Sequence, residues 1–160
     1  MEKQYALQKS HGKIIYDNTE PIPETVMMQS QYLKIALTNL IDNAYKFNFE
    51  GGSVDILISS VETTAKSGQF TFFVEIVNDT DKHLSTEAIN QYLDRAADPK
   101  KDHENATNGL LIASKFTQLM GGNLSAEFIE GNHLELHPHH KFKMVMSFQC
   151  FKGMAKAIHF

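Results

Sequence analysis

From Gln31 to Phe47 the apolar and polar residues separate into two helical stripes. Leu33, Leu37, Leu40, Ile41 and Ala44 recur at spacings of three and four, which predicts a helix laid against a core. Asn39, Asp42, Asn43 and Lys46 recur at the same spacings on another side, so two carboxamides, a carboxylate and an ammonium converge along one ridge. Asn competes through its side chain for nearby backbone groups and is a mediocre helix former. Two of them in mid-helix therefore need a reason other than propensity, and a ligand is one such reason. Ser30 is placed to cap this helix.

On either side of the helix the period changes to two. Val54, Ile56 and Ile58 alternate within Ser53–Ser59, and Phe70–Val77 follows a turn at Lys66-Ser-Gly68, predicting a hairpin. Lys13–Tyr16 and Thr25–Met28 read as short strands separated by an extended Glu20-Pro-Ile-Pro23 loop. Ser85 heads a short helix. A second long helix is expected from Gly109, with the apolar residues Leu110, Leu111, Ala113, Phe116, Leu119 and Met120. Gly121-Gly122 supplies the left-handed geometry that ends it. Asn123–Phe128 and Lys141–Gln149 then pair as closing strands. This order predicts a mixed, mostly antiparallel sheet with helices packed on one face, an α/β two-layer sandwich. The segment 94–108 is polar, charged and poor in large apolar residues, the composition of a lid.

The run Asn39-Leu-Ile-Asp-Asn43-Ala-Tyr-Lys46-Phe47 resembles the N-box of the histidine-kinase-type ATPases, a family that also includes the Hsp90, gyrase and mismatch-repair ATPase domains. Asn108-Gly-Leu-Leu-Ile-Ala-Ser-Lys-Phe-Thr-Gln-Leu-Met-Gly-Gly122 is similar to the segment from the family's second glycine box through the following helix. The resemblance implies the Bergerat ATP-binding fold. It also implies a nucleotide site to which Asn39, Asn43, Lys46, Phe47, Gly109 and Leu110 contribute. In that family the position of Asn43 helps hold the magnesium ion bridging the phosphates, and the position of Lys46 lies near the phosphates themselves. Magnesium takes oxygen ligands and keeps several waters, so one carboxamide oxygen beside phosphate oxygens is a sensible share. Asn39 stands where gyrase-like members carry a catalytic Glu and kinase members typically carry Asn, which points to the kinase branch.

In Val77-Asn-Asp-Thr-Asp-Lys-His-Leu84, Asp79 falls on the family's adenine-reading Asp of the first glycine box. The two glycines that follow in the family become Asp81 and His83, which resist positive backbone angles. In the second box, Asn105-Ala-Thr107-Asn-Gly109 keeps Gly109 alone, so fewer backbone N–H groups are free to approach phosphates. Lys100 and Lys101 in the lid read equally well as phosphate contacts and as solvated charges, and Tyr92 or Leu93 stands where a Phe is expected ahead of the lid. The phosphoacceptor helical hairpin of the kinases has no counterpart, and His11 lies in a polar lead-in unlike it, so no catalytic residue is assigned in this chain. Two functions stay open. One is the catalytic domain of a two-component sensor histidine kinase, taking ATP with magnesium, donating to a His on a separate dimerisation domain and serving a response regulator. The other is a pseudo-ATPase kept as a regulatory or interaction module.

At 160 residues the chain is expected to be one domain, 1–160, excised from a longer protein. A net charge of −4 argues against a nucleic-acid surface. Cys150 stands alone, so neither a disulfide framework nor a cysteine metal site is expected, and a cytoplasmic setting fits. Neither a signal-like block nor a run of the ~20 apolar residues of a membrane span is present in the sequence. His133, Glu135, His137 and His139 would share one face of an extended segment and are competent zinc or nickel ligands. Four ligands from one strand do not converge on a tetrahedral centre, and Pro138 suggests an edge or loop, so a solvated hairpin is the simpler reading.

Overall fold

The computed structural model describes residues 11–16, 23–63, 68–96, 109–131 and 140–153. Within them the chain forms β1 (His11–Tyr16), β2 (Val26–Met27), α1 (Ser30–Phe47), β3 (Ser53–Glu62), β4 (Gln69–Thr80), α2 (Thr86–Ala96), α3 (Gly109–Leu119), β5 (Asn123–Ile129) and β6 (His140–Lys152). The sheet order is β1-β3-β4-β6-β2, with β5 also paired to β6. Only β1 and β3 run parallel among these pairs; the rest are antiparallel. This is the expected α/β two-layer sandwich, including the β3–β4 hairpin and the paired closing strands.

β4 is the central strand, and its alternation organises the molecule. Phe70, Phe72, Val74 and Ile76 turn one way and are buried. They lie beside Cys150, Phe148, Met146 and Met144 of β6, their partners in register. Against this face pack Ala36, Leu40 and Ala44 of α1 and Ala113 of α3. Fully burying a side chain of the size of Leu40 or Ile76 contributes roughly 1.5–3 kcal/mol. The two helices also meet each other, with Tyr32 and Phe116 rings 5.3 Å apart.

Ser30 is not the cap of α1. It is the first helical residue, and Gln29 occupies the N-cap position without a side-chain bond. The Gln29 carbonyl instead accepts the Tyr32 and Leu33 N–H groups at 3.0 and 3.2 Å. Ser85 does cap α2, its hydroxyl accepting the Ala88 N–H at 3.2 Å. At the end of α3, Gly121 takes φ 72°. The Gly122 N–H bonds the Thr117 carbonyl and the Gly121 N–H bonds the Gln118 carbonyl, a Schellman closure.

The strands run longer than their hydrophobic cores suggest. β4 continues through Asn78, Asp79 and Thr80, and β6 reaches Lys152, because the antiparallel ladder persists where the alternation turns polar. α2 extends through Leu93, which is buried, to Ala96, so the first residues of the expected lid are helical. The remainder of the lid, with Lys100 and Lys101, and the His133–His139 cluster lie outside the described residues.

Candidate functional site

A cavity of about 290 Å³ opens between the sheet and the helices, close to the ~300 Å³ lower bound usual for small-molecule sites. α1 contributes Leu40, Asn43, Ala44 and Phe47 to its wall, and Leu110 enters from the first turn of α3. Phe142 and Met144 of β6 complete the floor, and Leu84 and Ile89 close the side nearest α2. The polar contributors are few: Asn43, Asn78, Thr80 and Lys82. A slot with apolar walls and sparse polar groups suits a flat aromatic body that is oriented at one edge.

The rim is cationic. The Phe47 ring is half exposed and carries the Lys46 ammonium 5.4 Å from its centroid and the Lys82 ammonium at 6.0 Å. Such contacts hold two positive charges beside the opening and favour an anionic group there.

Of the residues singled out in the sequence, Asn43, Phe47 and Leu110 line the cavity. Lys46 stands at its rim through Phe47. Asn39 turns back on its own helix, its Nδ2 donating to the Ile35 carbonyl at 2.8 Å. Its Oδ1 would lie 3.1 Å from a Cβ built on Gly109, so the bare glycine lets the start of α3 come close to α1.

Asp79 is placed elsewhere. Strand alternation turns it away from the helices, between Asn78 and Thr80, which are each 2% exposed and face the cavity. The Asp79 carboxylate accepts the Ser53 backbone N–H at 2.8 Å and the Ser53 hydroxyl at 3.3 Å, and pairs with the Lys141 ammonium at 3.2 Å. Burial pushes its carboxyl up, but the Ser53 N–H and the Lys141 ammonium outweigh that and hold it below the ordinary carboxylate value. Its backbone is engaged as well, the N–H bonding Asn48 Oδ1 at 3.1 Å and the carbonyl accepting the Phe49 N–H at 2.9 Å. Gly52 completes this cluster, since a Cβ there would sit 2.9 Å from that of Asp79. Asp79 thus ties the end of α1 and the start of β3 to the end of β4.

The loop after β4 manages without its glycines. Among the described residues no side-chain-bearing residue has positive φ, so Asp81 and His83 keep ordinary backbone angles. The Thr80 hydroxyl accepts the Lys82 N–H at 3.1 Å and shapes the turn. His83 is drawn toward β5, its ring 4.8 Å from that of Phe128 and its Nε2 3.2 Å from Glu130 Oε1. Asn78, Thr80 and Lys82 were not singled out in the sequence. The signal was available, because counting in twos from Phe70 reaches Asn78 and Thr80.

Among the described residues no group of three His, Cys, Asp or Glu side chains is arranged to hold a metal ion. No helix there is long and apolar enough to cross a membrane.

Comparison with known proteins bears on the family and the fold. A family model described as histidine kinase-, DNA gyrase B- and HSP90-like ATPase matches residues 28–148. Among solved structures, a mycobacterial sensor histidine kinase, MprB, superposes with a TM-score of 0.54 at 16% identity, over 87% of this chain and 82% of that one. The catalytic domain of the histidine kinase ThkA, in a nucleotide-free form, gives 0.55 at 17% identity over 86% and 77%. At these identities the likeness is one of fold. No curated protein sequence matches the chain.

Proposed function

The chain belongs to the histidine kinase-, DNA gyrase B- and HSP90-like ATPase family, and from that premise we propose that it is the ATP-binding catalytic domain of a sensor histidine kinase. The observation that carries the reading is the apolar cavity walled by Leu40, Ala44 and Leu110 with a cationic rim at Lys46 and Lys82. A purine base fits the slot, and the phosphates leave it past the two ammonium groups.

The Asn43 carboxamide lines the same cavity and offers one hard oxygen, the share expected of a protein that leaves most magnesium ligands to phosphate and water. Magnesium, when bound, neutralises and aligns the phosphate oxygens. Asn43 would hold it, and Lys46 would steady the remaining charge. The nucleophile is an imidazole nitrogen of a His on a separate dimerisation domain, in the same parent protein or on a partner. That nitrogen forms a bond to the terminal phosphorus as the bond to the bridging oxygen breaks, and ADP leaves. This chain's contribution is positioning and charge neutralisation. The phosphoryl group then passes to a response regulator, in a cytoplasmic setting where ATP is held.

Calorimetric titration of the chain with ATP, with and without magnesium, tests the reading. Binding in the micromolar to millimolar range that strengthens with magnesium is the expected result. No heat, together with no thermal shift at millimolar nucleotide, overturns it in favour of a pseudo-ATPase interaction module.

A further inference from the structure

At the other end of α1 from the cavity, a second hollow of about 470 Å³ opens on the surface. Gln29 at the head of the helix lines the hollow and Phe47 at its foot lines the cavity, so the two lie about 27 Å apart at 1.5 Å per residue. The hollow follows from how β6 is flanked. β5 pairs with it as far as Ser147 and β2 pairs with it from Phe151, and the interval at Gln149 is shared with Leu119 and Met120 from the end of α3. Among the described residues every side chain in the lining is uncharged, five of them apolar and two carboxamides, Gln29 and Gln149. Met27, Leu119 and Phe151 are 62%, 52% and 56% exposed. Their joint apolar surface is roughly 300 Å², the size at which a patch on a single chain calls for a function.

We propose that this patch docks a second copy of the same chain about a twofold axis, hollow against hollow. Charge selects that occupant. Each copy carries a net charge of −4, so approach through charged surface is opposed, whereas the uncharged lining lets two copies meet without like charges in contact. The polar members are also self-complementary, because a carboxamide both donates and accepts. Gln149 Oε1 already accepts the Gln69 amide at 2.8 Å, and its own N–H groups are left to donate across the axis. Shape agrees, since an isologous contact needs knob and hole in one patch, and Phe151 and Met27 protrude beside the space that receives their counterparts. The methionines of the lining are unbranched and repack around an inserted ring. A patch of this size falls short of the ~800 Å² per partner of a lasting dimer, so the pair is weak and forms at high local concentration. The cavity at the far end of α1 stays open in the pair, and the inference does not rest on the nucleotide reading.

Sedimentation equilibrium of the unmodified chain is the direct test. Between about 10 µM and about 1 mM the average mass should rise from that of one chain toward that of two. Raising salt from about 0.1 M to about 0.5 M should leave the pair as strong or stronger, because an uncharged contact has nothing to screen. Phe151→Glu and Leu119→Lys, both at exposed positions, should each raise the dissociation constant at least about tenfold. A chain that stays single at about 1 mM overturns the inference and leaves the patch to a partner of another sequence. A dimer that both variants form with the original constant also overturns it, since the contact then lies elsewhere, and so does one that dissolves as salt rises. A chain ending at Gly153 tests the other occupant within reach, residues 154–160, which lie outside the described residues. Its dissociation constant should match that of the full chain within about twofold, and pairing that appears only after their removal overturns the inference by showing that they cover the patch. Circular dichroism checks that each variant is folded, and if one is not, the other variant and the salt series decide.

Discussion

The Asp79 carboxylate accepts the Ser53 backbone N–H at 2.8 Å, joining the next-to-last residue of β4 to the first residue of β3. Ser53 begins β3 directly after the Gly51-Gly52 turn, and Gly52 leaves room for the Asp79 Cβ. A residue that resembles a ligand reader by its sequence position is therefore a structural tie by its orientation.

Asp79→Ala should destabilise the chain by about 1–3 kcal/mol, because it leaves a partly buried N–H unpaired and the Lys141 ammonium without its carboxylate. The effect depends on pH with a definite sign. The carboxyl in the folded chain is held below its ordinary value of 3.8, so its contribution is fully present above that value. It is lost as pH falls through the lower, folded value. Urea denaturation of both proteins across pH 2–7 should give a stability gap that is constant above about pH 5 and closes on acidification. A gap that persists unchanged at the acid end would contradict the assignment.

The two glycines after α3 should respond unequally to alanine. Gly121→Ala forces a side chain into the left-handed region and should cost about 1–2 kcal/mol. A Cβ on Gly122 would collide with the Ser147 carbonyl of β6, so Gly122→Ala must push α3's end off the sheet and should cost more than about 3 kcal/mol. Chemical denaturation measures both, and equal losses would refute the distinction.

The sequence carried the large elements because their periodicity is strong. The 3.6-residue stripe of Leu33 to Ala44 and the two-residue stripe of Phe70 to Ile76 survive folding unchanged, and they fix which helices and strands face one another. The candidate site was legible on α1 and α3 as far as Asn43, Phe47 and Leu110, which line the cavity. It was not legible at the end of β4. There a motif aligned by residue type selected Asp79, whereas the alternation of the strand selects its neighbours Asn78 and Thr80. Long-range side-chain bonds to the backbone were also invisible, because nothing local marks them.

Asn90 is the clearest of these. Its Nδ2 donates to the Ala126 carbonyl and its Oδ1 accepts the Ala126 N–H, both at 2.8 Å, so one side chain imitates a strand partner along the outer edge of β5. Thr86 does the same for the Phe128 N–H at 2.8 Å. Together they seal α2 onto an edge that would otherwise offer open backbone groups. Asn90→Ala should destabilise by about 1–3 kcal/mol. Hydrogen exchange should quicken at Ala126 while the Ile76 amide in the centre of the sheet stays protected. Unchanged exchange at Ala126 would mean that another group covers the edge.

Asn43 offers the sharpest separation of function from stability. It lines the cavity from α1, whereas the core of that helix is carried by Ala36, Leu40 and Ala44. Asn43→Ala replaces a mediocre helix former with the best one, so the helix should lose nothing and the melting temperature should be equal or slightly higher. The carboxamide oxygen is nevertheless gone, and with it the hard ligand proposed for magnesium at this wall. ATP affinity measured with magnesium should fall at least about tenfold, a loss of one charge-assisted contact. Affinity measured in chelator should change by less than about twofold, since the base and the ammonium groups of Lys46 and Lys82 remain. Equal losses in the two conditions would place Asn43 against the nucleotide itself, and no loss in either would remove it from the site.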